Sequence, residues 1–308
     1  MLSVGWGTEQ QDCPPCLRPA LPVRTLFTHV ARQHVACQIS GQRVSGVDLT
    51  ALTRALSLRP DETRLLILTD FDGTLVELAE DPDSVELSGD RRDLIQRLAR
   101  RPDLSLGVVS GRRLADVRLR VGAGAGIYYA GLHGLEIEGP GIHFVHSQAA
   151  DTRELVQRLS RALVDATGDL PGVQIENKGL TVAMHVRRAG PAAQQRAEEI
   201  LREIAGPHLE TEVLRLLCGA AVFELLPGIT WTKGDAVLRI KAEVERQYGR
   251  AAWLIYLGDD VTDEDAFSAV GTAGITIAVG DRPATAAFRL PDPGAVERFL
   301  QQLTLTEP

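Results

Sequence analysis

Cysteine is scarce in this chain of 308 residues, which has only four, and that shortage excludes a disulfide-stabilised scaffold and favours a reducing cytoplasm. No apolar run reaches the roughly 18 residues that span a bilayer, and the first residues lack the basic and then apolar pattern of a signal peptide. Basic residues are also in deficit: the net charge of −8 argues against nucleic acid as a partner, because its phosphates would stay unneutralised. We therefore expect a cytoplasmic protein that binds neither nucleic acid nor a membrane, in an oligomeric state that composition leaves open. The net charge does not exclude a small anionic substrate, which needs only local positive charge.

The first 60 residues show little periodicity. Clusters of Gly, Gln and Pro predict that residues 1–60 form a poorly ordered and dispensable extension, apart from a short helical patch within 46–58. Cys13 and Cys16 have the spacing of a redox pair or of half a zinc site. Because no predicted strand precedes them and no second pair follows, we interpret them as plain thiols.

A regular alternation of strands and helices begins at residue 61. Continuous apolar runs predict strands buried on both faces, as in a parallel sheet. These runs lie at 65–69, 104–109, 127–130, 253–257 and 275–279. Helical patterns fall between them, including 88–100 and 233–248. This order predicts right-handed crossovers and a doubly wound, Rossmann-like parallel sheet of the α/β class.

The pattern changes after residue 139. The chain then predicts helices at 152–166 and 191–205 and strands at 173–176, 180–186, 212–216 and 221–225. These elements form a separate small α/β module, after which the buried strands resume. We therefore predict a core domain built from 61–138 and 228–308, with an α/β cap domain inserted at 139–227.

The strand at 65–69 runs directly into Asp70, Asp72 and Gly73. Open α/β sheets bind ligands beyond the carboxyl ends of their strands. Asp70 and Asp72 are two residues apart, so their side chains can point the same way. Two carboxylates held together repel each other, and a bound divalent cation usually offsets that repulsion. The alternative interpretation is an acidic turn, since Asp-Gly often marks one.

Two further loops carry a hydroxyl and a lysine. The hydroxyl and backbone N–H of Ser110, at a predicted helix start, can receive an anionic oxygen. An ordinary helix N-cap is the alternative for this serine. Lys233 opens a helix, where the dipole disfavours a cation. Either a ligand or plain solvent exposure explains the lysine.

A fourth loop, after the strand at 253–257, is strongly acidic. Asp259 and Asp260 come directly from the strand end. Thr262 and Asp265 have the spacing of a capping box, which makes part of the acidity structural. Taken together, the four loops offer carboxylates, a lysine, a hydroxyl and a helix amide at one sheet edge. That set predicts a hard cation with oxygen ligands, Mg²⁺, beside a phosphoryl group.

Carboxylates at this edge can also do covalent chemistry. One can attack phosphorus and form an aspartyl phosphate. The second, two residues on, can then act as general acid and base. The residues by themselves therefore point to phosphoryl transfer.

Four ordered stretches resemble the motifs of the haloacid-dehalogenase-like phosphatases. They are DFDGTL at 70–75, VSGR at 109–112, Lys233-Gly234 and GDD at 258–260. The inserted module resembles the second type of cap in that superfamily. Further stretches are similar to the trehalose-6-phosphate phosphatases: AGLHGLEI at 130–137, ENKGL at 176–180, MHVR at 184–187 and ELLP at 224–227. The resemblance covers about residues 62–305.

The resemblance implies roles for the matching core residues. Asp70 would be the nucleophile, Asp72 the general acid and base, and Ser110 and Lys233 the groups that hold the phosphoryl oxygens. The implied Mg²⁺ ligands are Asp70, the backbone carbonyl of Asp72, Asp259 and, as a further candidate, Asp260.

The resemblance also implies a substrate-binding set. The candidates are Thr74, Gly111, Arg112, His133, Glu176, Lys178, Arg187 and Glu224. Among them Glu176, Lys178 and Glu224 match the cap positions that grip the distal sugar, where charged groups pair well with vicinal hydroxyls. Solvated positions on a sheet face are the alternative for these three.

The implied activity is the magnesium-dependent hydrolysis of trehalose 6-phosphate to trehalose and phosphate. Two departures bear on the sugar: Leu132 replaces the usual asparagine before His-Gly, and Leu226 the usual arginine before proline. They are the best support for the alternative, a related capped phosphatase that acts on another sugar phosphate, such as sucrose phosphate. A non-catalytic sugar-phosphate sensor is a further alternative, but a sensor has no need for the Asp70 nucleophile.

Overall fold

A computed structural model describes residues 49–79, 84–219 and 221–305 of the protein. In chain order its elements are α1 (Leu49–Leu56), β1 (Arg64–Thr69), α2 (Gly89–Ala99), β2 (Leu104–Val109), α3 (Leu114–Val121), β3 (Ile127–Gly131), β4 (Glu136–Gly139), β5 (Ile142–Val145), α4 (Ser147–Asp151), α5 (Arg153–Thr167), β6 (Gln174–Asn177), β7 (Val182–His185), α6 (Pro191–Glu210), β8 (Leu214–Cys218), β9 (Val222–Pro227), α7 (Lys233–Tyr248), β10 (Ala252–Gly258), α8 (Asp263–Val270), β11 (Ile275–Val279), β12 (Phe288–Leu290) and α9 (Pro293–Leu305). Among the described residues, no helix combines the length and the apolar content needed to cross a membrane.

A large, mostly parallel sheet forms the centre of the fold. Its strand order is β12-β11-β10-β1-β2-β3-β4-β5, and the strands from β12 to β3 run parallel. The side chains of β1 divide between two apolar clusters. Leu65 and Ile67 pack in the cluster with α2 and α9, whereas Leu66 and Leu68 pack in the cluster with α7 and α8. The predicted doubly wound α/β core is therefore confirmed, with the five predicted strands correct to within a residue at either end.

Strand register brings the predicted loops to one edge of this sheet. Thr69 at the end of β1 pairs with Leu257 on one side and Val108 on the other. The next residue, Asp70, donates its backbone N–H to the carbonyl of Leu257 at 2.8 Å. The three central strands thus end side by side, and the residues that follow them meet at a single place.

A hairpin extends the large sheet beyond β3. Strand β4 pairs antiparallel with β3, and β5 pairs antiparallel with β4. The sequence analysis missed both strands and placed residues 142–145 in the inserted cap. Burial alternates between half-buried and exposed along β5, and in β4 only Ile137 is buried, so neither strand has the continuous apolar run that revealed the central strands.

A second, four-stranded sheet lies between β5 and α7 in the chain. Its strands are antiparallel in the order β6-β7-β9-β8, and α5 and α6 pack on one face of it through residues such as Leu163, Leu201 and Met184. We call residues 147–227, from α4 to β9, the small module. Its existence was predicted, and its designation as a cap domain remains a proposal.

Polar side chains lie on one face of the four-stranded sheet of the small module. Ala183 of β7 pairs with Glu176 of β6 on one side and with Glu224 of β9 on the other. Since alternate residues along a strand point to opposite faces, and the neighbours Met184 and Leu225 pack toward the helices, Glu176 and Glu224 share the opposite face.

The region before Asp61 differs from the prediction. Residues 1–48, with Cys13 and Cys16, lie outside the described residues, but α1 is a helix within the predicted helical patch. Leu52 of α1 is only 2% exposed and belongs to the apolar cluster on one face of the large sheet. Helix α1 therefore packs on the folded core instead of belonging to a separate extension, and the dispensability of residues 1–60 stays a prediction.

We expect Leu52→Ala to destabilise the chain by about 2–5 kcal/mol, the usual cost of truncating a buried leucine. Leu58→Ala is the matched control, because Leu58 is 61% exposed. Urea unfolding followed by circular dichroism measures both. Equal midpoints for the two variants would show that α1 does not stabilise the core.

Candidate active site

Asp70 sits at the end of β1, at the meeting point of the central strands. It is 5% exposed, and its Oδ1 accepts the backbone N–H of Phe71 at 2.7 Å. Its Oδ2 accepts a hydrogen bond from Nζ of Lys233 at 2.8 Å. Burial raises the pKa of Asp70, Lys233 opposes that rise, and the nearby carboxylates of Asp263 and Asp259 add to it.

Lys233 is buried between two aspartates. It is 2% exposed, and its Nζ donates to Asp263 Oδ1 as well as to Asp70, both at 2.8 Å. Burial opposes the charged form, but Asp263 and Asp70 raise the pKa of Lys233 above its ordinary value. The alternative of a solvent-exposed lysine is therefore wrong. The helix start itself is stabilised by a capping box in which Thr232 and Asp235 bond each other's backbone.

Asp263, which the sequence analysis did not single out, is central to the cluster. It is fully buried, and its Oδ1 also accepts the hydroxyl of Tyr256 at 2.7 Å. Carboxylate oxygens of Asp70, Asp259 and Asp263 all lie within 4.8 Å of one another, close enough to hold a metal ion. A signal was present in the sequence, since Asp263 lies four residues after Asp259, but the interpretation as a capping box obscured it.

Asp259 is held by the loop after β1. Its Oδ1 accepts the hydroxyl of Thr74, which is completely buried, at 2.9 Å. A Cβ at Gly73 would lie only 2.1 Å from Asp259 Oδ2, and Gly73 has a φ of +74°, so glycine is required there. Burial, and next to it Asp263, raises the pKa of Asp259 to about 7. Thr74, predicted to bind substrate, thus bonds the carboxylate of Asp259.

Asp260 lies outside this cluster. Its side chain is exposed, and it contributes backbone groups to the loop: its N–H donates to Asp263 Oδ2 at 2.9 Å. The structure therefore does not bring its carboxylate together with the other candidate ligands. The capping box predicted for Thr262 and Asp265 is also wrong, because Thr262 makes no side-chain capping bond.

Asp72 faces an arginine rather than the acidic cluster. Its two oxygens each accept from the guanidinium of Arg112, both at 2.7 Å. Arg112 in turn donates to Asp116 Oδ2 at 3.1 Å, and Asp116 Oδ1 accepts from Arg120 at 2.8 Å. Arg112, which was predicted to bind substrate, thus bonds both carboxylate oxygens of Asp72, the predicted general acid and base. Asp116 and Arg120 are further residues that the sequence analysis missed.

Ser110 is buried beside these groups, with 1% of its surface exposed. Its backbone N–H donates to the carbonyl of Ala130 at 2.9 Å, and its Oγ accepts the N–H of Arg112 at 3.2 Å. The following helix begins at Leu114 with Arg113 as its N-cap. Ser110 is therefore not a helix N-cap, and its backbone N–H is not available to a ligand, so both of those expectations are wrong. Its hydroxyl is the polar group that can contact a ligand.

The small module meets the core at this site. Lys178 donates from Nζ to the carbonyl of Gly111 at 3.1 Å and to Glu224 Oε1 at 3.2 Å. Glu224, 5% exposed, also accepts the hydroxyl of Thr181 at 2.7 Å, and its Oε2 lies 3.5 Å from Nε2 of His133. Burial opposes ionisation, yet Lys178, His133 and Thr181 bring the pKa of Glu224 below its ordinary range.

The remaining predicted cap residues, Glu176 and Arg187, are more exposed than Lys178 and Glu224. Glu176 Oε2 lies 3.0 Å from Nε2 of His185, and its Oε1 is 4.0 Å from Arg113 of the core. Burial opposes ionisation, but the bond from His185 and the charge of Lys178 lower the pKa of Glu176. Arg187 is exposed and donates to the carbonyl of Ala79 at 3.5 Å.

The two unusual leucines are both buried. Leu132 packs with Leu135, Ala149 and Leu180 in a small apolar cluster that joins the core to the small module. Leu226 of β9 is 1% exposed. Burial suits leucine at both positions, but the φ of +52° at Leu132 lies in the left-handed region that leucine rarely adopts.

Comparison with known proteins places this geometry in a family. The model of the trehalose-phosphatase family matches residues 68–293. A trehalose-phosphate phosphatase of Mycobacterium tuberculosis (strain H37Rv) is 38% identical over an alignment of 243 residues, and the match covers 77% of this chain and 60% of that protein. The chain therefore spans about three fifths of the length of the curated relatives it matches.

Solved structures share the fold. A trehalose-6-phosphate phosphatase related protein is 25% identical with a TM-score of 0.67, and the match covers 78% of this chain and 97% of that one. The C-terminal domain of a Candida albicans trehalose-6-phosphate phosphatase is 22% identical with a TM-score of 0.69, covering 85% and 98% respectively.

Proposed function

Since this chain belongs to the trehalose-phosphatase family, we propose that it hydrolyses trehalose 6-phosphate to trehalose and phosphate. The observation that carries the proposal is the group of Asp70, Lys233, Asp259 and Asp263, where the loops after β1 and β10 meet the first residues of α7 and α8. A buried carboxylate at a strand end, facing polar side chains from a second module, suits attack on a phosphoryl group presented on a sugar.

In the proposed reaction, a carboxylate oxygen of Asp70 attacks phosphorus while the bond from phosphorus to the sugar oxygen breaks. Asp72 gives its proton to the departing sugar oxygen. A water molecule then attacks the phosphorus of the aspartyl phosphate, Asp72 takes the water's proton, and the bond to Asp70 breaks to release phosphate. Arg112 bonds both oxygens of Asp72 and so fixes the orientation of this carboxyl group, while each oxygen keeps a further lone pair for the proton transfer.

Lys233 and Ser110 hold the phosphoryl oxygens in this proposal. The ammonium group of Lys233 already lies 2.8 Å from Asp70, so a phosphoryl group on that aspartate would be beside it. The Ser110 hydroxyl comes from the end of the neighbouring strand β2. Both groups donate hydrogen bonds, and both compensate the negative charge that the transferred group carries.

The residues present fit a divalent cation. Asp70, Asp259 and Asp263 carry three negative charges against the one positive charge of Lys233, and burial makes that excess costly, as the raised pKa of Asp259 reflects. Carboxylate donors alone select a hard ion, and we propose Mg²⁺. The proposed ligands are Asp70 and Asp259 with the backbone carbonyl of Asp72, and Asp263 is beside them. Bound Mg²⁺ would stabilise charge on the phosphoryl oxygens.

The small module selects the sugar in this proposal and acts as the cap. Glu224, Lys178 and Glu176 lie on the face or at the edge that meets the core, where charged groups can bond the sugar hydroxyls. In the structure, Lys178 of the small module bonds Gly111 of the core, and His133 of the core contacts Glu224 of the small module. These contacts leave no space for a sugar between these residues. A bound sugar would replace them, so the module must shift outward to admit substrate.

The test is phosphate release from a panel of sugar phosphates, with and without Mg²⁺. We expect trehalose 6-phosphate to be hydrolysed fastest, and removal of the metal by a chelator to abolish turnover until Mg²⁺ is restored. A preference for sucrose 6-phosphate would assign the enzyme to the alternative substrate. Tight binding of trehalose 6-phosphate without phosphate release would support a sensor instead.

A further inference from the structure

The loop that carries Asp259 is tied down by an arginine from a distant part of the sequence. Arg282 lies between β11 and β12, and its Nε donates to the backbone carbonyl of Asp259 at 3.0 Å. Its Nη2 donates to the carbonyl of Asp260 at 2.7 Å. One planar guanidinium therefore spans both peptide groups that follow the candidate metal ligand.

Arg282 is itself held in place by α8. Its Nη2 also donates to Glu264 Oε1 at 2.9 Å. The second oxygen of Glu264 accepts the backbone N–H and the hydroxyl of Thr285, at 3.1 and 2.5 Å. Although burial raises the pKa of Glu264, the bonds from Thr285 and the charge of Arg282 bring it below the ordinary value. We call Arg282, Glu264 and Thr285 the loop clamp.

The same loop is bonded from its inner side by Asp263. Asp263 Oδ2 accepts the N–H of Asp260 at 2.9 Å, and the N–H of Asp263 donates to the carbonyl of Asp260 at 3.1 Å. The backbone at Asp260 is thus fixed between the acidic cluster on one side and Arg282 on the other. Displacing this backbone would carry the carboxylate of Asp259 away from Asp70 and from the hydroxyl of Thr74.

We infer that Arg282 is a positioning residue for the metal-binding carboxylate of Asp259, acting through the carbonyls of Asp259 and Asp260. The inference rests on the proposed metal site, and hence on the proposed function. Arginine is needed because its fork reaches two carbonyls and a carboxylate at once, which the single ammonium of lysine cannot do. The side chains of Arg282 and Glu264 are 32% and 26% exposed, so their ion pair contributes little to overall stability. The main effect of the clamp is local.

The test measures metal binding directly. Mn²⁺ serves as the probe, and electron paramagnetic resonance counts the free ion during titration of the full chain, with Mg²⁺ as competitor. We expect Arg282→Gln to weaken Mn²⁺ binding about 10–100-fold, the usual effect of removing an outer partner of a metal ligand. Arg282→Lys keeps the charge but loses the fork, and we expect nearly the same loss. At saturating metal, the kcat of both variants should return close to that of the unaltered chain.

Arg289→Gln is the matched control. Arg289 is another half-buried arginine of the same region, and its guanidinium donates to the carbonyl of Gly280. The substitution removes the same charge and leaves the bonds to Asp259 and Asp260 in place. We expect Mn²⁺ affinity within about twofold of the unaltered chain, since outer-partner effects follow the contact and not the net charge.

Three outcomes would overturn the inference: unchanged Mn²⁺ affinity in Arg282→Gln, an Arg282→Lys variant that binds like the unaltered chain, or equal weakening by Arg289→Gln. Absence of Mn²⁺ binding to the unaltered chain would overturn it as well. Failure of the proposed function has a different signature. If the unaltered chain releases no phosphate from trehalose 6-phosphate but shows the Arg282-dependent binding, the inference stands and the proposed reaction is wrong.

Discussion

Asp70→Asn should lower the rate of phosphate release by on the order of 10⁴-fold or more, because an enzyme that forms a covalent intermediate loses its nucleophile. The amide has the same shape as the carboxylate but is a far weaker nucleophile. The fold should persist, because Lys233 keeps its bond to Asp263 and the cluster loses one of its three negative charges. Phosphate release under single-turnover conditions, together with the melting temperature, measures both effects.

Asp265→Asn is the control for that experiment. Asp265 is an exposed acid in the first turn of α8, close to the site in the chain, and its replacement should leave turnover nearly unchanged. Asp72→Asn should be intermediate, with a loss of about 10²–10⁴-fold typical of general acid and base catalysis. Near-normal activity in Asp70→Asn, in a folded protein, would end the covalent mechanism.

Glu224→Gln should lower kcat/KM for trehalose 6-phosphate by about 10–100-fold, because a charged hydrogen bond to a sugar hydroxyl contributes roughly 1.5–3 kcal/mol. It should change kcat/KM for para-nitrophenyl phosphate by less than about threefold, since that ester carries no sugar to reach the small module. The ratio of the two specificity constants is the measurement. It separates recognition of the sugar from the phosphoryl chemistry.

Two comparisons make the Glu224 result interpretable. Glu199→Gln changes an exposed glutamate on α6 and should leave both substrates unaffected. A melting temperature is needed as well, because Glu224 is buried and the substitution weakens its pairing with Lys178. Equal losses on both substrates would show that Glu224 serves folding or phosphate binding, and the assignment of sugar selection to the small module would be wrong.

The sequence by itself determined the five central strands of the large sheet, β11, β10, β1, β2 and β3. Strands such as β1 and β2 are buried on both faces, so each must be a continuous apolar run, and that run is visible without any partner. The polar residues after such runs must then meet at one edge. This reasoning placed Asp70 and Asp259 together, and the structure has their carboxylates close to each other, with Lys233 bonded to Asp70.

The tertiary structure alone decided which side chains pair. Asp72 with Arg112, Asp263 with Lys233, and Arg282 with the loop at Asp259 join residues 40, 30 and 23 positions apart in the chain. No local pattern encodes such a pair, because its distance depends on how whole elements pack. The same limit explains α1: Leu52 belongs to a short helix in a region of weak periodicity, and only its place against the large sheet makes it part of the core.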